Sequence, residues 1–318
     1  MSKKGSFKIT KSTTERRGIK PHYTLFKKRY STQDTIVGWA FLLPAVILGL
    51  IFIIGPMVVS LSYSFTDAHL LKLDQASFNN FKNFIRAFKD ETLWEAFKNT
   101  MYFVVCVVPL QLGVAYGLAL ILNSKIKCNT FFRWAFFVPV MLSLAVTSTL
   151  WMNLLNEQDG LINALLENLG FDRQKFLSDP KQAMPIIIFI SAWQGAGYQM
   201  LIFLSALKNI PKEVYEASDV DGANKWQKLI YVTCPMIKST FSFILVTTLI
   251  GAFRLITQPM IMTGGGPLNK TMTMSYYIYQ NGIKFWDVGY SSAIALLYTI
   301  FMATIALTLN KVTGKENT

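Results

Sequence analysis

The chain has 318 residues, 52% hydrophobic and only 15% charged. Soluble domains carry about 25% charged residues, so too few are present to coat a water-facing surface, and the chain reads as an integral membrane protein. Three scattered cysteines and two histidines, His22 and His69, speak against a disulfide framework, a zinc site or a histidine-based catalytic cluster.

The first residues, 1–35, are basic, polar and without apolar periodicity, and are read as a cytoplasmic tail. Six stretches then meet the length of about 20 apolar residues that a helix needs to cross a bilayer: 36–65, 99–122, 131–155, 184–207, 239–262 and 288–309. The first contains Pro44 and Pro56, which predict a kink or tilt, and it is too long for the core of a cleaved signal peptide. The expected organisation is a six-helix transmembrane domain over 36–310 and a short cytoplasmic tail over 311–318.

Charge counted on alternating sides sets the orientation. The side holding both termini has 20 basic and seven acidic residues; the other has ten basic and eleven acidic, with Arg254 left inside a span. Positive-inside bias then puts both termini in the cytoplasm. The net charge of +13 is therefore an orientation signal and a surface for anionic lipid heads, with nucleic acid a poor second reading.

Within the fourth span, "SAWQGAGYQM" supplies Trp193, Gln194, Tyr198 and Gln199. Aromatic faces and amides suit an uncharged carbohydrate path; packing between helices is their commoner use, and Gly195 and Gly197 could serve close helix approach. Both readings stay open.

Residues 210–235 interrupt the apolar pattern with Glu213, Glu216, Asp219 and Asp221, and with Lys212, Lys225 and Lys228. Pro211 suits a first helical turn. Ile210, Val214 and Ala217 form one apolar stripe, Gly222 can stop the helix in a left-handed conformation, and Trp226, Leu229 and Ile230 start a second stripe before Pro235. Two short amphipathic helices joined at a glycine are predicted, one face on the bundle and the other offering carboxylates to the cytoplasm. A plain solvated connection is the competing account.

Arg254, about two-thirds along the fifth predicted span, is a charge at membrane depth that costs about 2.5–3.5 kcal/mol on insertion scales and should face protein or water. It is either a functional group or a structural donor to carbonyls. "GGGPLNKT" (264–271) nearly spells a phosphate loop, but Asn269 takes the second glycine position and the segment falls on the external side, so a tight turn is the better account.

"EVYEASDVDGANKWQKLIYVTCP" resembles the EAA motif of binding-protein-dependent ABC importer permeases, with Glu216, Ala217, Asp221, Gly222, Ala223 and Pro235 at matching positions. Ser218 stands where a second alanine is usual and Leu229 where phenylalanine is frequent. "FLLPAVILGLIFIIGPMVVSLSYSFTD", "FFRWAFFVPVMLSLAVTSTLWMNLLNEQDGLINALLENLG" and "MTGGGPLNKTMTMSYYIYQNGIKFWDVGYSSA" are similar to the maltose-transporter type of sugar permease, the larger of its two permease subunits, without an extra external domain.

The resemblance implies an all-α, six-transmembrane-helix type I ABC importer permease with a core over about 97–309 and a cytoplasmic coupling-helix hairpin. It implies no catalysis and no cofactor on this chain, with ATP and Mg on a partner ATPase that Glu216 would contact. The implied partners are a second homologous permease, two ATP-binding subunits, an extracytoplasmic solute-binding protein, a sugar and the lipid bilayer. Trp193, Gln194, Tyr198 and Arg254 are the candidates for the solute path. Three rivals remain: an ion-coupled carrier, opposed by the absence of acids from the six predicted spans; a membrane enzyme, opposed by histidines on opposite sides; and an ABC permease for a non-sugar solute.

Overall fold

Proline and glycine decide where the apolar helices run straight and where they break. The computed structural model describes residues 32–124 and 127–314; the basic segment up to Ser31, Lys125, Ile126 and the last four residues lie outside the described residues. Helix α1 begins at Thr32, four residues earlier than the predicted first span, so the tail expected over 1–35 is overlapped by helix at its end.

After α1 (Thr32–Gly49) comes a π-helical turn, Leu50–Ile54, and then α2 (Gly55–Tyr63). The Gly55 N–H reaches back to the Leu50 carbonyl. Pro56, which has no N–H to offer, follows at once, a common setting for such a widened turn.

Asn80 and Phe81, both left-handed (φ 51° and 63°), turn the chain into the amphipathic helix α3 (Lys82–Lys89). The amide of Asn83 on its buried face donates to the carbonyls of Ser64 (3.1 Å) and Thr66 (2.8 Å), pinning the incoming loop. Asp90 then caps α4 (Glu91–Asn123), its carboxylate accepting from the N–H groups of Thr92 and Leu93. At 33 residues, α4 is about 50 Å long and starts eight residues before the predicted second span.

The predicted third span, 131–155, is not one helix. It is α5 (Asn129–Met141) and α6 (Leu144–Leu154), bent by 96°. Leu142 and Ser143 are extended there (ψ 140° and 138°), and Pro139 in the last turn of α5 cannot donate. Helix α7 (Leu161–Asn168) and a short turn lead to α8 (Ala183–Lys208), an unbroken span.

The hairpin follows: α9 (Lys212–Val220), then α10 (Lys225–Gln227), a π-helical turn at Lys228–Thr233, and α11 (Cys234–Met236). A 69° bend separates it from α12 (Lys238–Phe253). The fifth predicted span, 239–262, therefore also needs correction: its helix ends at Phe253, and a third π-helical turn occupies Pro259–Thr263. The chain closes with α13 (Met274–Tyr279) and α14 (Val288–Gly314), which extends helically into the segment expected to be tail. Among the described residues, four helices are long and apolar enough to cross a bilayer, or six spans if each bent pair counts as one.

The core is built on α4 and α8. Val107, Ala115 and Ala119 of α4 and Ile187, Ala196, Met200 and Phe203 of α8 are almost wholly buried. Lipid tails are as apolar as these side chains, so close fit rather than water exclusion holds the helices together. Gly195 and Gly197 supply that fit: a Cβ on Gly195 would sit 2.1 Å from Gln111 Nε2, and one on Gly197 would sit 2.1 Å from the Phe136 carbonyl of α5.

The two ends of α4 define the two faces of the bundle. Near its C-terminus, Tyr116 hydroxyl lies 3.4 Å from Cys234 Sγ, and a small cavity is lined by Leu120, Asn123, Tyr215 and Lys228, so the hairpin sits at this end. At the other end, Asn99 donates to the carbonyls of Asn269 (2.7 Å) and Met272 (3.0 Å), and Lys270 pairs with Glu95 at 3.0 Å. "GGGPLNKT" is thus a turn packed on α4 with four left-handed residues, Gly264, Gly265, Leu268 and Asn269.

Candidate functional site: a polar cavity between the spans and a hairpin at their end

Midway along α4, opposite α8 and α12, lies a cavity of about 440 Å³. Its polar lining comes from Gln111, Gln194, Tyr198, Gln199, Arg254 and Gln258, with Thr247 and Thr248 beside them. No Asp or Glu lines it. Amides and hydroxyls can donate and accept, so this wall matches an uncharged polyhydroxylated solute without requiring the solute to neutralise a carboxylate.

The four predicted path residues are not equivalent. Tyr198 lines the cavity and is 56% exposed, its ring free for contact. Gln194 lines it too, but its amide donates to the carbonyls of Pro139 (3.3 Å) and Leu142 (3.2 Å) and to the Thr147 hydroxyl (3.2 Å). The Leu142 carbonyl is left without a backbone donor at the α5–α6 break, and the Pro139 carbonyl has only the Leu142 N–H at 3.4 Å; Gln194 supplies both with a donor where water is scarce. Trp193 is not among the lining residues; it packs edge-on against Trp151, ring centroids 5.6 Å apart.

Arg254 follows the last residue of α12 rather than sitting inside a continuous helix, and its side chain borders the cavity. A cation at a helix C-terminus is favoured by the helix dipole. Gln199 donates to the Thr248 hydroxyl, joining α8 to α12 across the cavity floor. Gln111, Thr247, Thr248 and Gln258 were missed by sequence reasoning. The signal available was a lone polar side chain in an apolar run, as in "VVPLQLGV".

The hairpin's turn is built by local chemistry. Gly222 is left-handed (φ 74°), its N–H donates to the Asp219 carbonyl at 3.1 Å, and the Ala223 N–H donates to the Ser218 carbonyl at 3.0 Å. This pair of bonds closes α9 in a Schellman motif. Asn224 then opens α10 with a reciprocal capping box to Gln227. Tyr215 hydroxyl meets Thr233 Oγ1 at 3.1 Å and Lys228 pairs with Asp219, so both helices are tied across the turn.

The packing face of the hairpin differs from the predicted stripes. Ile210 and Ser218 are buried, whereas Ala217 is exposed, and Trp226 is 73% exposed. Glu216, Asp221 and Pro235 are exposed as well, and Ala223 is half-buried. The outward surface thus combines Glu216 and Ala217 with Val220, Trp226 and Tyr231, an acidic and aromatic face on a helix pair at the end of the bundle.

Residues 111–314 match the family of binding-protein-dependent transport system inner membrane components. The chain belongs to this family. It is 37% identical over 291 residues to the probable ABC transporter permease protein YesP of Bacillus subtilis (strain 168), covering 90% of this chain and 93% of that one. It is 32% identical over 301 residues to the lactose transport system permease protein LacF of Rhizobium radiobacter, covering 93% and 96%. In fold it is similar to a chain of a bacterial ABC transporter involved in the import of the acidic polysaccharide alginate, with TM-score 0.79, 24% identity, and coverage of 89% and 96%. The permease is thus an inner-membrane transporter subunit, and the expected resemblance holds.

Proposed function

We propose that the permease forms one half of the passage of an ATP-driven importer for a sugar or oligosaccharide. The cavity between α4, α8 and α12 carries this reading, because the polar groups set in its apolar wall are amides, hydroxyls and one guanidinium, with no acid among the lining residues. The names of relatives for lactose and for arabinooligosaccharides support it. A cavity of about 440 Å³ beside one bundle is half a pathway, so a second homologous permease supplies the other wall. An external solute-binding protein, which accompanies the alginate transporter in its complex, delivers the solute.

The exposed face of the hairpin is the seat for an ATP-binding subunit. Glu216 makes a charge-assisted contact with a basic group there, and Gly222 gives the turn that lets both helices enter a cleft. Asp221, Ala223 and Pro235 shape the hairpin, and Ala217 leaves room beside Glu216. Two ATPases closing on ATP and Mg move the hairpins, so this chain binds neither. Both termini and the hairpin face the cytoplasm, with 1–35 as tail, 36–310 as the permease domain and 311–318 as the end segment.

One observation favours a second reading, a solute with an anionic group. The Arg254 guanidinium borders the cavity, and no lining carboxylate balances it. Uptake in proteoliposomes holding the full transporter tests both readings. Tyr198→Ala and Thr248→Ala should each lower sugar uptake while the ATPase stays active; equal uptake by both variants rejects the cavity as the path. Arg254→Gln should affect only anionic sugars if the second reading is right.

A further inference from the structure

Helix α3 carries two parallel stripes. Phe81, Ile85 and Phe88 recur at i, i+4 and i+7 and are exposed; Lys82, Arg86 and Lys89 recur at the same spacing one residue on and are also exposed. Asn83 and Ala87 are the buried face. Such an amphipathic segment lies in a membrane interface, with its apolar side toward acyl chains and its basic side toward head groups.

Beside it is an apolar groove of about 250 Å³, lined by Phe88, Leu93, Trp94, Phe97, Leu297 and Phe301 among others. Its walls are fixed. Trp94 Nε1 donates to the Phe88 carbonyl at 3.1 Å, Trp94 meets Phe97 edge-on at 5.9 Å, and Phe97 meets Phe301 at 5.1 Å. The exposed basic stripe of α3 borders an open basin lined by Lys82, Ile85, Arg86, Lys89 and Asp90.

The acids near this basin are already engaged. Asp287 pairs with Arg86 at 2.6 Å, and Asp90 accepts from the Tyr277 and Tyr290 hydroxyls and caps α4. Asp67, near Lys82, accepts from the Ser77 N–H and hydroxyl. Lys82, whose charge also favours the Asp67 carboxylate, and Lys89 are exposed and form no ion pair within 4.0 Å among the described residues.

We propose that this is a phospholipid site: one acyl chain lies in the aromatic groove and the head-group phosphate rests on Lys82 and Lys89. Charge complementarity selects an anionic head group, and the groove opens on the surface of two membrane-spanning helices, α4 and α14, where lipid is the solvent. The bound lipid ties α3 to these spans at the end of the bundle opposite the hairpin.

The assembled transporter, purified in detergent and offered equal dioleoyl phosphatidylglycerol and dioleoyl phosphatidylcholine, tests this by native mass spectrometry of retained lipid. The wild type should retain phosphatidylglycerol preferentially. Lys82→Gln with Lys89→Gln should lower that retention by about thirtyfold, the effect of two basic groups near a charged surface, and lower phosphatidylcholine much less, because its choline already offsets its phosphate. Leu297→Trp, which fills the groove, should lower retention of both lipids. Unchanged phosphatidylglycerol in the double variant, with normal assembly, overturns the proposal. So does efficient cross-linking of Phe88→Cys to a protein partner, which would assign the groove to a subunit interface.

Discussion

Gln194 of α8 holds the carbonyl of Leu142 at 3.2 Å, and through that bond one side chain stabilises a 96° break in the neighbouring span. Gln194→Leu keeps the volume but leaves the Leu142 carbonyl unmatched and the Pro139 carbonyl with only the Leu142 N–H at 3.4 Å. Each buried orphan costs about 1–3 kcal/mol, so the thermal midpoint of the purified permease should fall clearly. Gln194→Glu should fare no better, because a carboxylate cannot donate. A midpoint equal to wild type for Gln194→Leu would show that water or lipid satisfies those carbonyls.

Gly197 and Gly195 make opposite demands on the same helix. A methyl at Gly197 meets a backbone carbonyl, that of Phe136, at 2.1 Å. Backbone cannot swing aside, and overpacking costs about 1–3 kcal/mol or more. A methyl at Gly195 meets the end of the Gln111 side chain, which can rotate. Gly197→Ala should therefore lose more folded protein than Gly195→Ala, measured by size-exclusion yield and thermal midpoint. Gly195→Ala should instead show itself in transport, since Gln111 lines the cavity.

The unbroken spans α4, α8 and α14 were legible because a long apolar run has few alternatives to a helix crossing lipid. The breaks in the third and fifth spans were not. Pro139 was visible, but hydropathy does not say whether a neighbouring helix carries a donor for the freed carbonyls, and that donor was Gln194. For the same reason the structural role of Gln194, whose amide nitrogen donates within the chain while the residue lines the cavity, was not visible. In the hairpin, periodicity found Gly222 and both helices but misjudged the packing face. Ala217, Trp226 and Ile230 form stripes, and a stripe alone does not say whether the bundle or another protein covers it.

Gly222 sets a conformational requirement that can be separated from bulk. Its φ of 74° is costly for most side chains, by about 1–2 kcal/mol, but mild for asparagine. A Cβ there meets nothing within 4 Å, so space is not the issue. Gly222→Asn should keep transport coupled to ATP hydrolysis, whereas Gly222→Val should reduce uptake while the permease still inserts. Glu216→Lys should also abolish uptake in the assembled transporter with the hairpin folded. Full uptake by Glu216→Lys would remove the coupling role.

Asp90 makes stability depend on acid. Burial raises its carboxyl, but the hydroxyls of Tyr277 and Tyr290 and the N–H groups of Leu93 and Thr92 outweigh this and hold it below the ordinary 3.8. A depressed carboxylate contributes stability that is fully present above its unfolded value and is lost as pH falls through the folded one. Its partner Tyr277, raised chiefly by burial and then by Asp90 to about 12, behaves in the opposite sense: its contribution is complete below 10 and fades toward 12. The thermal midpoint of wild type should drop as pH falls below about 4, and Asp90→Asn should flatten that slope. A slope that persists in Asp90→Asn would assign the acid sensitivity to another carboxylate.

Val220 and Leu268 report on the two ends of the bundle. Val220 is 88% exposed on the hairpin, and Leu268 is 77% exposed in the turn that packs on the start of α4. With Cys106, Cys128 and Cys234 replaced by serine, a single cysteine at either position gives a clean label. A membrane-impermeant maleimide should modify Leu268→Cys in cells with an open outer surface, and should reach Val220→Cys only after the inner membrane is breached. The positive-inside tendency predicts this order, since the six-span reading of the sequence assigns twenty basic residues to the hairpin side and ten to the other. Labelling of Val220→Cys in intact cells would place the hairpin outside, beyond the reach of any ATPase, and both the orientation and the coupling reading would fall together.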